Sequence, residues 1–427
     1  MKSAVRASLF VALTVTSTSF AADWSQFRGP NGSGRGDDFP AQSLPVTWSN
    51  EQGVAWKVPV SRGSSSPVIS GKQIFVTGYT GYAQDLKDAG KREDLQLHVL
   101  SYDADSGKLN WDYQFPASKY EQAATQRIAD HGYASPTPCT DGRAVYASFG
   151  PSGIVALDLQ GKLLWRRDVG HGTAGFGAAS SPIEFQNLVI VNASIESDSL
   201  LGLDKQTGDV VWTVKGVERA WTTPALVTLP DGSVELVIHY KDHIRGFSPE
   251  TGKELWSCAG IPDYIVPLAV SDGERVFFSG GRQNRTTALK AGGRGNVTDT
   301  HKLWEVTHGA NVTSPLFHDG HLYWSHDKGF AQCVDAATGK LKYQERFRSR
   351  DRVYASVIYG DHKFYMTQRD GTTLALEARP DYKELATNKL GDDAEQFNAT
   401  PAIHEKSLLF RSTKHLYRIQ RELTPRE

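Results

Sequence analysis

Short stretches of alternating apolar and polar residues, separated by turn residues, recur along most of the chain. One recurring segment begins with an apolar residue and Asp, turns at Gly, and continues into an apolar strand that contains an aromatic residue. Copies of this segment occupy residues 100–111, 156–165, 203–212, 247–256 and 334–343, and a copy with a longer turn occupies residues 288–304. Self-similarity of this kind predicts a repeat architecture.

A second recurring segment precedes the first in each repeat. It consists of Ser or Thr before Pro, a short apolar strand, a hairpin dipeptide such as Asp141-Gly142, and a strand of β-branched and aromatic residues. Copies begin at Ser66, Ser135, Ser181, Thr223, Val266, Ser314 and Thr400, and a copy without Pro begins at Ser356. Each repeat therefore predicts four antiparallel strands, here called A to D, which is the composition of a propeller blade.

The number of repeats and the two chain ends predict a closed ring of eight blades. One large residue marks each D strand: Trp56, Trp111, Trp165, Trp212, Trp256, Trp304, Tyr343 and, in the repeat without an aromatic, Leu385. Residues 54–58 form a D strand that no A, B or C strand precedes, and residues 400–419 supply A, B and C strands that no D strand follows. We therefore expect an all-β, eight-bladed propeller over residues 54–419, in which the N-terminal strand closes the ring and removes the free sheet edges.

The N-terminal residues have the composition of an export signal. Lys2 and Arg6 precede an apolar run at residues 8–15, and the small residues Ser19 and Ala21 predict cleavage after Ala21. No cysteine lies nearby to carry a lipid anchor, and no other run reaches the roughly 20 apolar residues that a membrane helix needs. The expected organisation is a signal peptide at 1–21, a leader at 22–53, the propeller, and a tail at 420–427, in a protein that is periplasmic or secreted.

Composition removes several classes of function. Acidic residues number 48 and basic residues 47, so the chain has no overall field that would attract nucleic acid. The three cysteines are distant in sequence and odd in number, which is not typical of a disulfide scaffold. The sequence contains no Gly-x-Ser-x-Gly, His-Glu-x-x-His, Cys-x-x-Cys or Walker motif. We therefore predict no catalytic residues and no metal site.

The Asp-x-x-Thr-Gly-x-x-x-Trp segment resembles the repeat of quinoprotein-type propellers. The same repeat occurs in pyrroloquinoline quinone (PQQ)-dependent alcohol dehydrogenases and in BamB, a non-catalytic scaffold of outer-membrane assembly. The segment 24–34, which reads Trp-Ser-Gln-Phe-Arg-Gly-Pro-Asn-Gly-Ser-Gly, resembles the leader of exported PQQ-like propellers. The resemblance implies the fold, but the dehydrogenases hold the quinone partly with a disulfide between adjacent cysteines, and no two cysteines are adjacent here.

Candidate binding residues lie at the D–A and B–C loops, which meet at one end of the channel of a propeller. They are Tyr79, His131, Tyr133, Trp221, Lys241, Tyr264, Arg282, Asn311, His326, Tyr354 and Arg369. Arg346, Arg348, Arg350 and Arg352 alternate, so an extended chain would place them on one side to grip an anion, although a solvated basic loop is the favoured explanation. The D-strand aromatics are expected to pack between blades rather than to form a ligand cage.

Two insertions lengthen the loops of the first blade. Residues 79–96 form a charged B–C loop, and residues 114–130 form a D–A loop in which Ser118 and Glu121 have the spacing of a capping box that starts a short helix. Together these features predict a monomeric, non-catalytic binding or scaffold module for an envelope or extracellular protein, peptide or glycan, without a cofactor. The alternative is a PQQ- and calcium-dependent oxidoreductase with its site at the channel mouth.

Overall fold

The protein is an eight-bladed β-propeller, as the repeat predicts. The computed structural model describes residues 24–36, 44–85, 87–349 and 351–421, in which eight antiparallel sheets account for almost all of the regular structure. The predicted signal peptide and Arg350 lie outside these residues. Within the described part of the chain, no helix is long and apolar enough to cross a membrane.

The first four complete blades follow the chain in the order A, B, C, D. Blade 1 contains β2 (Val68–Ser70), β3 (Gln73–Thr80), β4 (Gln96–Asp103) and β5 (Leu109–Pro116). Blade 2 contains β6 (Cys139–Thr140), β7 (Ala144–Ser148), β8 (Ile154–Asp158) and β9 (Leu163–Arg167). Blade 3 contains β10 (Ile183–Phe185), β11 (Leu188–Ala193), β12 (Ser199–Asp204) and β13 (Val210–Lys215). Blade 4 contains β14 (Ala225–Thr228), β15 (Val234–Tyr240), β16 (His243–Phe247) and β17 (Glu254–Ala259).

The second half of the ring repeats this order. Blade 5 contains β18 (Val270–Ser271), β19 (Arg275–Gly280), β20 (Arg285–Lys290) and β22 (Lys302–Val306), and its C–D insertion adds β21 (Gly295–Asn296) to β17 as a parallel fifth strand. Blade 6 contains β23 (Leu316–His318), β24 (His321–His326), β25 (Phe330–Asp335) and β26 (Leu341–Arg346). Blade 7 contains β27 (Ile358–Gly360), β28 (Lys363–Thr367), β29 (Thr372–Glu377) and β30 (Glu384–Lys389).

Blade 8 is assembled from both ends of the chain, which confirms the predicted closure. It contains β31 (Ala402–His404), β32 (Ser407–Arg411), β33 (His415–Gln420) and β1 (Val54–Pro59). β1 pairs antiparallel with β33, with Val58 opposite Leu416. The helices of the described residues are short and lie in the leader or in connections: α1 (Gln126–Ala129), α2 (Thr298–His301) and single 3-10 turns at Pro30–Gly32, Arg92–Asp94 and Gly150–Ser152.

The D-strand tryptophans join neighbouring blades. The Nε1 of Trp111 donates to the carbonyl of Leu159 at 2.9 Å, and the Nε1 of Trp165 donates to that of Lys205 at 2.8 Å, each in the C–D turn of the next blade. The glycine of the same turn lies on the indole: a Cβ on Gly161 would come within 2.6 Å of Trp111. Gly161 has φ +85°, so the position requires glycine for its conformation and for the close approach. The repeated Asp–Gly–Trp pattern thus describes contacts between blades.

Three strand assignments of the repeat are wrong by one or two residues. The A strands of blades 2 and 5 begin at Cys139 and Val270, so Thr137 and Leu268, not Ser135 and Val266, occupy the position of Ser66. In blade 2 the error arises because residues 135–138 contain two consecutive Ser/Thr-Pro pairs. The hydroxyl that accepts a hydrogen bond at the channel belongs to Thr137, in the second pair. In blade 7, Ala386 pairs with Ala375 at the position of the tryptophans. Leu385 is the extra residue of the bulge and is 39% exposed.

The leader crosses the end of the channel that lies opposite the D–A loops. The carbonyl of Trp24 accepts from the N–H of Ile69 in blade 1, and that of Ser25 accepts from Thr140 in blade 2, both at 2.9 Å. On the far side, the carbonyl of Gly34 accepts from the N–H of Tyr359 in blade 7 at 2.8 Å. Phe27 lines the channel between these points. The leader therefore covers one end of the channel and leaves the loop end as the open face.

Candidate functional site

A ring of hydroxyl side chains surrounds the channel at the starts of the A strands. In seven of the eight positions Ser or Thr accepts a hydrogen bond from the backbone N–H of the preceding blade, at 2.9–3.1 Å. The hydroxyl residues are Ser66, Thr137, Ser181, Thr223, Ser314, Ser356 and Thr400. Leu268 occupies the eighth position. The space inside the ring is about 110 Å³, which is below the roughly 300–1,000 Å³ of typical ligand pockets.

Aromatic side chains from five D–A loops cover the open end of this ring. The rings of His131 and Tyr354 stack with centroids 6.3 Å apart, and His131 meets the edge of Phe176 at 6.1 Å. Phe176 also contacts Trp221 at 5.6 Å and Tyr264 at 5.7 Å. Burial lowers the pKa of His131, which favours the neutral imidazole at pH 7. These loops meet because each follows a D strand and returns to the channel at the next A strand.

Polar contacts hold this aromatic cluster in place. The Nδ2 of Asn311 donates to the hydroxyl of Tyr264 at 2.7 Å, and the Nε1 of Trp221 donates to the carbonyl of Gly177 at 2.8 Å. The guanidinium of Arg369 lies 4.6 Å from the ring centroid of Tyr354 and bonds to Asn398 and Gln396, both at 2.9 Å. Hydrogen bonds and a cation–π contact with other protein groups therefore fix the side chains above the channel.

A pocket of about 630 Å³ opens beside the aromatic cluster, over blades 3 to 5. We call it the mouth pocket. Three aromatic residues, four cationic residues and two carboxylates line it: Phe176, Trp221, Tyr264, Arg127, Arg219, Lys241, Arg282, Asp198 and Asp263. The cations outnumber the carboxylates by two, so the pocket is electropositive although the whole chain is nearly neutral.

The charges of the mouth pocket differ in how far they are neutralised by neighbours. Arg282 pairs with Asp263 at 3.2 Å and lies 4.9 Å from the centroid of Tyr264. Arg127 lies over Phe176 at 5.2 Å, and neither it nor Arg219 forms an ion pair within the described residues. Lys241 is largely exposed and has Asp242 3.8 Å away. Three cations are thus available to an anionic ligand.

The structure brings together eight of the predicted binding residues and separates the others. His131, Trp221, Lys241, Tyr264, Arg282, Asn311, Tyr354 and Arg369 surround the channel mouth or the mouth pocket. Tyr79 and Tyr133 are buried against each other beneath the insertions, with centroids 5.4 Å apart.

His326 is buried and bonds to Asn284 at 3.1 Å. Arg348 is exposed 3.8 Å from Glu384 and does not line the mouth pocket. Arg350 lies outside the described residues.

Several residues of the mouth pocket were not predicted. Phe176 belongs to a glycine-rich D–A loop at residues 170–177, which has no strand or repeat pattern to mark it. Arg127 lies in the predicted insertion, but the helix there begins at Gln126, and the hydroxyl of its N-cap residue Thr125 accepts from the N–H of Ile128 at 3.3 Å. Ser118 does not start a helix, because Glu121 turns inward to accept a hydrogen bond from Ser152 at 2.6 Å. The glycine content of the loop was the one signal that could have found it.

Two carboxyl groups are buried below these loops. Glu121 and Glu196 are 7% and 8% exposed. Burial raises the pKa of each to about 7, although the hydrogen bond from Ser152 opposes the shift at Glu121. Neither residue lines the mouth pocket. Both are titratable groups in the structure that supports the loops, outside the lining of the mouth pocket.

Comparison with known families and structures follows from this geometry. The chain matches the family described as outer membrane protein assembly factor BamB in three overlapping segments, at residues 44–175, 98–259 and 240–422. The chain belongs to this family of PQQ-like β-propellers. No curated protein matches it.

Solved structures of the same fold include BamB and dehydrogenases. BamB from Moraxella catarrhalis is 12% identical, with a TM-score of 0.57, and the match covers 87% of this chain and 100% of that one. A europium-containing methanol dehydrogenase is 12% identical, with a TM-score of 0.62 and coverage of 91% and 89%. The quinohemoprotein alcohol dehydrogenase from Comamonas testosteroni is 11% identical, with a TM-score of 0.64 and coverage of 96% and 83%. At this identity the likeness shows the fold alone.

The fold implies PQQ and a metal ion as a possible cofactor pair, and the donor groups of the described residues do not fit that pair. The cations of the mouth pocket would suit carboxylates of the quinone. However, within those residues no three His, Cys, Asp or Glu side chains are placed to share a metal ion. Cys139, Cys258 and Cys333 are buried in three different blades, so they cannot form the disulfide that resemblance to the dehydrogenases implies.

Proposed function

We propose that this protein is a non-catalytic, exported binding module that holds a segment of protein, peptide or glycan at the mouth pocket. The observation that carries the proposal is the pocket itself. Its volume of about 630 Å³ lies within the range of ligand sites, and it combines aromatic walls with Arg127 and Arg219, which form no ion pair within the described residues. Loops from a closed, rigid ring present these side chains, which is a common arrangement for recognition.

The side chains of the pocket are better placed for binding than for acid–base catalysis. Asp263 accepts hydrogen bonds from the backbone N–H groups of Tyr264 and Arg282 and pairs with the Arg282 guanidinium. This carboxylate therefore has a structural role, because its oxygens already bind the loop backbone and Arg282. The carboxyl groups whose pKa values are suited to proton transfer near neutral pH, Glu121 and Glu196, do not line the pocket.

Family membership supports a role at the cell envelope. The matched family is described as an outer membrane protein assembly factor, and the sequence of residues 1–21 predicts export. Together these observations favour a partner in the periplasm or outside the cell. The relatives of known structure include dehydrogenases, so the rival function is a quinone-dependent oxidation at the same face.

Isothermal titration with PQQ separates the two functions. We expect a dissociation constant weaker than about 1 μM, equivalent to roughly −8 kcal/mol. We also expect the same dissociation constant for PQQ in about 1 mM CaCl₂ and in an excess of a calcium chelator. Only the exposed cations of the pocket would contribute to binding the quinone. A dissociation constant at or below about 1 μM that depends on calcium would contradict the proposal and support a dehydrogenase.

A further inference from the structure

This inference rests on the proposed function and names its ligand. We propose that the mouth pocket binds an acidic oligosaccharide, in which sugar units carry both carboxylate and hydroxyl groups. Three properties of the pocket point to this class: available cations, available carboxylate oxygens and aromatic walls. Each property restricts the ligand in a different way.

The cations require negative charge on the ligand. Arg127 comes from α1, Arg219 from the loop after β13, and Lys241 from the turn after β15, so charge converges from three separate elements. Arg127 and Arg219 form no ion pair within the described residues, and Lys241 has the exposed Asp242 at 3.8 Å. Guanidinium and ammonium groups in this arrangement favour carboxylates, sulfates or phosphates.

The carboxylates require hydrogen-bond donors on the same ligand. Asp198 and Asp263 face the pocket, and the side chain of Asp198 has no hydrogen-bond partner within the described residues. Asp263 is already bound by Tyr264 and Arg282, so Asp198 is the carboxylate that would accept from a ligand and would repel one that carried only negative charge. A sugar acid satisfies both requirements, because its hydroxyl groups donate to carboxylates while its own carboxylate meets the cations.

The aromatic walls suit rings with apolar faces. Phe176 and Tyr264 are partly exposed in the pocket, and Trp221 is fixed by its bond to Gly177. Aromatic side chains of this kind cover C–H surfaces such as the faces of pyranose rings. The pocket is formed by loops and turns and has no free strand edge among its lining, so it lacks the surface for peptide binding by strand addition.

The test uses three probes on the whole protein. They are trigalacturonate, its fully methyl-esterified form, and a pentaglutamate peptide. The ester keeps the sugar rings and hydroxyl groups but has no charge, and the peptide keeps the charge but has no hydroxyl groups or sugar rings. Isothermal titration at low salt should give the tightest binding for trigalacturonate, at least about tenfold tighter than either control, and added salt should weaken it because the cations are exposed.

Variants locate the binding. Arg219→Gln with Lys241→Gln should weaken trigalacturonate at least about tenfold, whereas Arg348→Gln, a similarly exposed arginine away from the pocket, should leave the dissociation constant unchanged. Asp198→Ala should weaken trigalacturonate but strengthen pentaglutamate, because it removes an acceptor for hydroxyl groups and a repulsive charge. Far-UV circular dichroism would show that each variant is folded.

The outcomes separate the ligand class from the function. Equal or tighter binding of pentaglutamate would overturn the oligosaccharide and leave a binding module for acidic peptides. If the methyl ester bound as tightly as trigalacturonate, the requirement for negative charge on the ligand would be overturned. Failure of all three probes would overturn the inference, while calcium-dependent PQQ binding would in addition overturn the proposed function.

Discussion

Replacing Trp212 by alanine removes an indole that joins blade 3 to blade 4. The side chain is 8% exposed, its Nε1 donates to the carbonyl of Pro249 at 3.2 Å, and it packs beneath Gly252, where a Cβ would come within 2.8 Å of the ring. Burial of roughly 200 Å² at about 25 cal/mol per Å² corresponds to about 5 kcal/mol as an upper limit. Truncation of buried aromatics typically costs about 3–5 kcal/mol, and we expect a loss in this range.

The measurement is urea unfolding followed by far-UV circular dichroism, since the substitution itself alters tryptophan fluorescence. Val211→Ala is the matched control: it is the neighbouring residue of β13, but its side chain is 53% exposed. The control should change the free energy of unfolding by less than about 0.5 kcal/mol. A loss under about 1 kcal/mol for Trp212→Ala would refute the assignment of the D-strand tryptophans to blade contacts.

Three further perturbations test other parts of the structure. Deleting Val54–Pro59 exposes the edge of β33 and should produce higher oligomers or unfolded chains by light scattering; a folded variant with the same association state as the intact protein would refute ring closure. Gly161→Ala should lower the urea midpoint by more than Gly320→Ala, since both have positive φ but only Gly161 contacts an indole. Burial raises the pKa of Glu121 to about 7 in the folded protein, against roughly 4.5 in the unfolded chain. Protonated Glu121 therefore contributes fully to the stability of the fold below about pH 4.5, and this contribution is lost as the pH rises through 7. Glu121→Gln should flatten this decline, and an unchanged pH profile of stability would contradict it.

The repeat allowed most of the fold to be predicted, because the same physical requirement recurs in each blade. A D-strand tryptophan and the glycine of the next C–D turn must meet, and that pair is visible in the sequence as Trp111 and Gly161. Register was less certain where the pattern was ambiguous. Ser135 was assigned to the position of Thr137 because both belong to Ser/Thr-Pro pairs. Leu385, a bulge residue, was assigned to the position of Ala386 because it fits the pattern equally well.

The candidate site was harder to predict because loops carry no periodicity. Trp221 and Tyr264 were found since they lie just before A strands, whose position the repeat fixes. Phe176 and Arg219 were missed because their proximity depends on how loops of different blades turn over the channel. Conversely, Tyr79 lies at the end of a B strand, close to the position that Lys241 has in blade 4, but it is covered by the insertions of blade 1.

Hydrogen–deuterium exchange, measured with and without trigalacturonate, tests most directly whether the mouth pocket is the ligand site. Residues of three loops line the pocket and carry exchangeable backbone amides: 173–176, Arg219 with Trp221, and Asp263 with Tyr264. We predict slower exchange in these loops on binding and no change in the outer D strands or at the leader end of the channel. Protection confined to the leader end or to the outer strands, with the three loops unchanged, would contradict the assignment of the mouth pocket as the binding site.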